Sequence, residues 1–306
     1  MTENEKNDNL PATENDNLSF FQKLKKEQAK AKALVPVEKF VDKLNSEYGE
    51  LAARKYYGLY FTIAPVEAGD VWRPPLIAIA SQKGNEEALT NAGKGGLYYH
   101  DSKKALGRDT LFFPLYSHIE HTWWSDSKSL CRSIDALKGD RFSGALSGTL
   151  VDCGSESCPN VPDQFQKGED ECKWTRTLYV VDSEFTNIYA LSLRYFSVKE
   201  TFDTMLKATK KAGIKFDPVN SSWFTLGSFS KGEGNKMGWY MKAVETDQPV
   251  NKEDAAIIGQ LKNWMDIYQK GRIKDRDNRT ANAQSEVDTI DVQTTVQDDG
   301  SSFTSM

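Results

Sequence analysis

The residue types best suited to chemistry are four cysteines, Cys131, Cys153, Cys158 and Cys172. They fall within a 42-residue stretch, with 21, 4 and 13 residues between them. The Cys153/Cys158 pair, written CGSESCP, has a spacing that lets two thiolates from one turn reach a single Zn²⁺, and its glycine and proline help the backbone fold around an ion. Cys131 and Cys172 would complete a tetrahedral four-thiolate site. Closed to water, such a site is structural: one Zn²⁺ per chain and no catalysis. Four ordinary buried thiols, or a disulfide pair, are the other readings of the same residues. His118 and His121 lie nearby in LYSHIEHTWW. In an extended segment their side chains alternate, so they are expected as strand positions rather than joint metal ligands.

Motifs for enzymatic work are missing from the text. Gly93-Lys94-Gly95-Gly96 lacks both the upstream glycine spacing and the Ser/Thr of a phosphate loop, and no nucleophile elbow, H-E-x-x-H or calcium loop occurs. With three histidines and no acid/base pair, the expectation is a non-enzyme. A second pattern is the interleaving of aromatic and basic residues: Trp72-Arg73; Tyr98 and Tyr99 with Lys103, Lys104 and Arg108; Trp123; Arg194-Tyr195-Phe196 with Lys199; Trp223-Phe224 with Lys231 and Lys236; and Trp239-Tyr240 with Lys242. Rings that stack on bases, with cations that follow the backbone, hold single-stranded nucleic acid without reading its sequence. The same rings also serve as core filling.

These groups need elements to position them. Residues 1–18 are expected to be disordered and acidic, and residues 19–48 helical, with Pro36 between a Lys/Ala-rich run and a second helix over 37–48. Residues 49–250 are written mostly as short β-like phrases between Gly, Asp, Asn and Pro, for example Leu111–Tyr116, Thr177–Val181, Trp223–Phe229 and Met237–Val244. Such punctuation predicts an antiparallel barrel or sandwich. The cysteines mark an insertion near 125–175, and one helix, 198–211, interrupts the strands. An apolar stripe of Ile257, Ile258, Leu261, Trp264, Met265 and Tyr268 predicts a C-terminal helix over 251–272, with residues 273–306 as a flexible acidic tail.

The 306-residue chain has a formal charge of -5, unevenly spread. Residues 1–18 carry five acids and one base, and residues 280–306 carry five acids and no base, which leaves the body mildly basic. Acidic ends around a basic body suit a protein that binds nucleic acid through its body. No apolar run is long enough to cross a bilayer and no secretory leader is visible, so no membrane partner is expected, and the expected location is cytoplasmic.

The order Trp72-Arg73-Pro74-Pro75-Leu76-Ile77, Phe113-Pro114-Leu115, Trp123-Trp124, Cys131-Arg132-Ser133-Ile134-Asp135, Cys153…Cys158-Pro159, Cys172 and Thr177-Leu178-Tyr179-Val180-Val181 resembles a group of single-stranded-DNA-binding proteins of tailed bacteriophages. The likeness spans roughly residues 55–250 and departs from the family pattern at the knuckle, where four residues rather than two separate the thiols. It implies a β-rich α+β fold: an OB-like antiparallel barrel with a zinc-stapled insertion, flanking helices and disordered ends. It also implies binding and protection of single-stranded DNA in phage replication or recombination, within the host cytoplasm. The acidic tail would compete for the groove and recruit replication or recombination proteins. The other class of function is a zinc-stapled structural, transcription or virion accessory protein that binds no DNA itself.

Overall fold

The structure is a computed structural model, and it describes residues 37–63, 72–80, 86–125, 128–141, 149–153, 172–209, 218–233 and 237–294. The chain forms two compact units, residues 1–73 and 74–306. The expected N-terminal helix over 19–33, the disordered first 18 residues and the end of the tail lie outside the described residues.

In the first unit, α1 (Val37–Tyr48) and α2 (Glu50–Ile63) form a helical hairpin. Gly49 makes the turn between them at φ +88°, a left-handed conformation that glycine adopts without steric cost. Phe40 meets Tyr56 edge-on at 4.8 Å, and Leu44, Ala52, Leu59 and Ile63 are buried.

Among the described residues, the second unit is a mixed α+β fold built on one ten-stranded sheet. Its elements are β1 (Leu76–Ile79), α3 (Glu86–Ala92), β2 (Leu97–Tyr99), β3 (Leu111–Ser125), β4 (Lys128–Ser133), β5 (Lys138–Arg141), β6 (Leu150–Asp152), β7 (Cys172–Asp182) and β8 (Ile188–Leu193). There follow a π-helical turn (Val198–Asp203) running into α4 (Thr204–Thr209), then β9 (Ser222–Lys231), β10 (Gly238–Pro249) and α5 (Lys252–Thr294). The strand order is β2-β1-β8-β7-β3-β4-β5-β6, with the β9–β10 hairpin branching from β3.

The closed antiparallel barrel expected from the sequence is not formed. Among the described residues the sheet is open, and β1 runs parallel to β8. The reason lies in β3, whose one long edge pairs with β7 throughout while its other edge is shared. Leu111 and Phe112 pair with β9, and His121–Ser125 pair with β4. The two branches diverge from a common strand instead of closing on each other.

Ile77, Phe112, Leu178, Val180, Leu191, Leu193, Met205, Phe224, Leu226 and Met241 form the main core. Burying such apolar side chains supplies the main drive for folding. Helix α5 lays Ile257, Ile258, Leu261, Trp264, Met265 and Tyr268 inward, the stripe predicted from the sequence. It continues to Thr294, well beyond the expected end at 272, so most of the acidic stretch assigned to a flexible tail is helical.

Candidate nucleic-acid interface and cysteine face

In the β9–β10 hairpin, Trp239↔Ser230, Met241↔Ser228 and Ala243↔Leu226 alternate with Gly238↔Lys231, Tyr240↔Phe229, Lys242↔Gly227 and Val244↔Thr225. Met241, Ala243 and Leu226 are buried, so the second set faces outward. On that outer face Tyr240 lies 5.7 Å from Phe229 and meets Phe196 edge-on at 5.2 Å. Phe196, 39% exposed, sits in the turn after β8, and Lys231 Nζ stands 3.7 Å above its ring.

One glycine gives the Tyr240 ring its place on this surface: a Cβ at Gly238 would come 2.8 Å from Tyr240 Oη, whereas one at Gly227 would meet Lys242 Cε at an ordinary 3.5 Å. Tyr195, 36% exposed and at φ +51°, and Lys199, exposed, belong to the turn and π-helical segment that carry Phe196. Arg194 is exposed, with its Nε donating to Thr175 Oγ1 at 2.8 Å.

The remaining sequence-selected residues are distributed differently. Trp223 is 4% exposed and meets Phe113 and Phe185 edge-on, so its ring fills the core and is not placed to stack on a base. Trp239 faces inward and packs against Gly95, which sits at φ +82°. Tyr99 is half-buried against Tyr189 at 5.3 Å, and burial raises its hydroxyl pKa. Lys103 reaches over the Tyr98 ring at 5.8 Å, with Lys104 and Arg108 exposed on the same loop. Trp72 is half-buried and Arg73 exposed, both in the first unit. Lys236 lies outside the described residues. Phe196, Tyr240 and Lys242 of this cluster belong to the interleaved pattern legible in the sequence; Phe229 does not, and its cross-strand pairing with Tyr240 is what places it there.

The cysteines gather on the other branch. Cys131 on β4 and Cys172 on β7 are both in register with Trp123 on the intervening β3, so all three side chains share one face. Arg141 on β5, opposite Cys131, covers the Trp123 ring at 4.8 Å. Cys153 directly follows β6. A Cβ at Gly139 would lie 2.6 Å from Cys131 Sγ, so the bare glycine makes room for that sulfur, and it would meet Cys153 Sγ at an ordinary 3.7 Å. Cys158 lies outside the described residues, and among the described ones no three His, Cys, Asp or Glu side chains converge as a metal-binding group.

Between the two branches α5 is tied to the sheet by ionic contacts. Glu120, 7% exposed, accepts from His118 Nε2 at 2.7 Å and from Arg132 at 2.8 Å, with Arg272 of α5 at 3.9 Å. Burial pushes the Glu120 carboxyl up. The His118 hydrogen bond and the Arg132 charge outweigh it and hold the pKa at about 2. Asp135 is likewise held well below the usual carboxylate range: burial raises it, but Arg276 and the amides of Lys138 and Leu137 outweigh that. Arg132, Ser133 and Asp135 of the Cys-Arg-Ser-x-Asp step therefore work in ion pairs and a turn. No helix among the described residues is long and apolar enough to cross a membrane. No family model, curated protein or solved structure matches the chain.

Proposed function

We propose that this chain binds and protects single-stranded DNA, with the outer face of β9–β10 and the adjoining Phe196 turn as the contact surface. The observation that carries the reading is the outward cluster of Phe196, Phe229 and Tyr240 with Lys231 and Lys242 among the rings. Unpaired bases stack on such rings at about 1–3 kcal/mol each, and ammonium groups follow the phosphates. A duplex keeps its base faces inside the stack and gains nothing from them. The OB-type kinship, the setting in phage replication or recombination, and the recruitment of partner proteins by the acidic end belong to this proposal through the sequence resemblance.

Zinc completes it as a structural staple. Cys131 and Cys153 at Gly139, with Cys172 and Cys158, would hold one Zn²⁺ and fix the β4–β6 insertion without entering any reaction.

Fluorescence titration of labelled oligo-dT at two salt concentrations, with duplex as control, tests the assignment. Tyr240→Ala is expected to weaken dT binding roughly ten-fold, in line with the loss of one stacked base. Trp223→Ala is expected to act through stability instead, because its ring is internal. Equal affinity for duplex and dT, or wild-type affinity in a Phe229→Ala/Tyr240→Ala double variant, would overturn the reading. In that case the zinc-stapled accessory role takes its place.

A further inference from the structure

The β3–β7 ribbon and the strands beyond it have two faces of different character. Glu120 lies opposite Thr175, Thr122 opposite Arg132, and Arg132 opposite Asp140, so these side chains share one face. There Glu120 accepts from Arg132 at 2.8 Å, with Arg272 of α5 at 3.9 Å. The other face carries His121 and Trp123 of β3, Trp174 and Arg176 of β7, and Arg141 of β5. The register His121↔Trp174, Ile119↔Arg176 and Cys131↔Arg141 places them together. All five are half-buried. Between Ile119 and Trp123, no acidic residue of the described strands shares this face.

The two guanidinium groups here lie on rings instead of on carboxylates. Arg141 covers Trp123 at 4.8 Å, and Arg176 covers Phe202 of the π-helical turn at 4.1 Å. The Asp203 charge bears on Arg176, but among the described residues neither arginine makes an ion pair. The Nε of each, and Nδ1 of His121, is buried without a hydrogen-bond partner. An arginine stacked on a ring still turns its outer N–H donors to an anion, which is the arrangement nucleic acids are held by. Phe202 follows Phe196 on one short segment, so that segment carries a ring of each group.

We propose that this second face is a further contact for the same unpaired strand. The strand leaves the β9–β10 surface, crosses the segment 196–202 and runs over β7, β3 and β4 toward Arg141. The proposal rests on the single-strand reading given above. Arg176 and Arg141 stand about 20 Å apart by strand spacing and rise, a length that only an extended chain spans. Each nucleotide brings both an anion and a π-face, matching cations that alternate with rings. An acidic peptide brings the charge alone.

The test titrates the full chain with fluorescent oligo-dT of about 5 and about 16 nucleotides, near the two ends of the range for such surfaces. Arg141→Gln/Arg176→Gln is expected to bind the short oligomer as the wild type does. On the long one it should bind roughly ten-fold more weakly, with a log–log salt slope flatter by about 1.4, the share of two phosphates. Arg141→Lys/Arg176→Lys keeps both charges and should keep the slope. Photo-crosslinking of the wild-type protein to an iododeoxyuridine oligomer of the longer size should give adducts at Trp123 or Trp174. Adducts confined to the β9–β10 hairpin and the Phe196 turn would overturn the second contact, as would unchanged affinity of the Gln variant for the long oligomer. An equal loss of duplex binding in that variant would overturn the role of the rings. A wild-type chain that binds neither oligomer would overturn the single-strand reading itself. The crosslinking needs no substitution, so it decides the matter even where the Gln variant does not fold.

Discussion

At the scale of single residues, two described carboxylates, Glu120 and Asp135, are held well below their ordinary range. Glu120 is the clearest case, because its folded pKa of about 2 lies below its ordinary value of 4.5. A depressed carboxylate contributes stability at pH values above 4.5, and that contribution is lost as pH falls from 4.5 through 2. The shift corresponds to roughly 3 kcal/mol. Acid titrations monitored by tryptophan fluorescence should therefore show a midpoint in that window. Glu120→Gln should unfold more easily at pH 7 and should lose most of the wild-type difference between pH 7 and pH 3. A variant that keeps the full wild-type dependence would place the titrating group elsewhere. The residue scale also shows why ring positions were hard to choose from the sequence. Trp223 and Tyr240 sit in equally aromatic text, yet one is core and the other faces solvent. The difference depends on the pairing register of β9 with β10, which composition does not carry.

At the scale of elements, α5 is two things in succession. Its first half follows the apolar stripe legible in the sequence; its continuation past 272 has no such stripe, and Ser, Thr, Asn and Asp there argued against helix. Arg276 explains part of the extension: a buried side chain that locks onto Asp135 and Lys138 O needs helical backbone on both sides. Truncating the chain after Asn278, beyond Arg276, the last side chain shown to be buried on this helix, is accordingly expected to leave thermal stability within about 1 kcal/mol of the full chain. Ending it at Asn263 removes Trp264, Met265, Tyr268, Gln269 and Arg276 and should abolish cooperative unfolding in calorimetry. Similar melting curves for the two truncations would contradict this role for the helix. The strands themselves were largely legible from alternation and turn residues, as β3, β7, β9 and β10 show. Closure was not, because whether two sheet edges meet depends on the branching at β3 rather than on any local phrase.

At the scale of the whole molecule, the formal charge of -5 is a poor guide to partners, because the acids concentrate toward the ends. What matters for a polyanion is the local set of cations near the rings, namely Arg194, Lys199, Lys231 and Lys242. Four phosphate contacts on a single strand give a log–log salt slope of about -3. Measuring oligo-dT affinity from 50 to 300 mM salt checks this. Lys231→Ala should flatten the slope by a little under one unit, and a slope near zero would point away from these cations as the contact.

The shared edge of β3 has a consequence for how the molecule is assembled and how it fails. One strand is the common spine for both the aromatic hairpin and the cysteine-bearing sheet, and among the described strands the two lobes are hydrogen-bonded together only through it. Damage to the spine at Phe112 disturbs the hairpin's footing, and damage at Trp123 disturbs the thiols. A break between the two, around Ser117, strands both lobes at once. The topology predicts that the β3–β7 ribbon forms before either lobe, which pulsed hydrogen exchange during refolding would read as earlier protection of residues 112–123 and 172–182 than of the lobe strands.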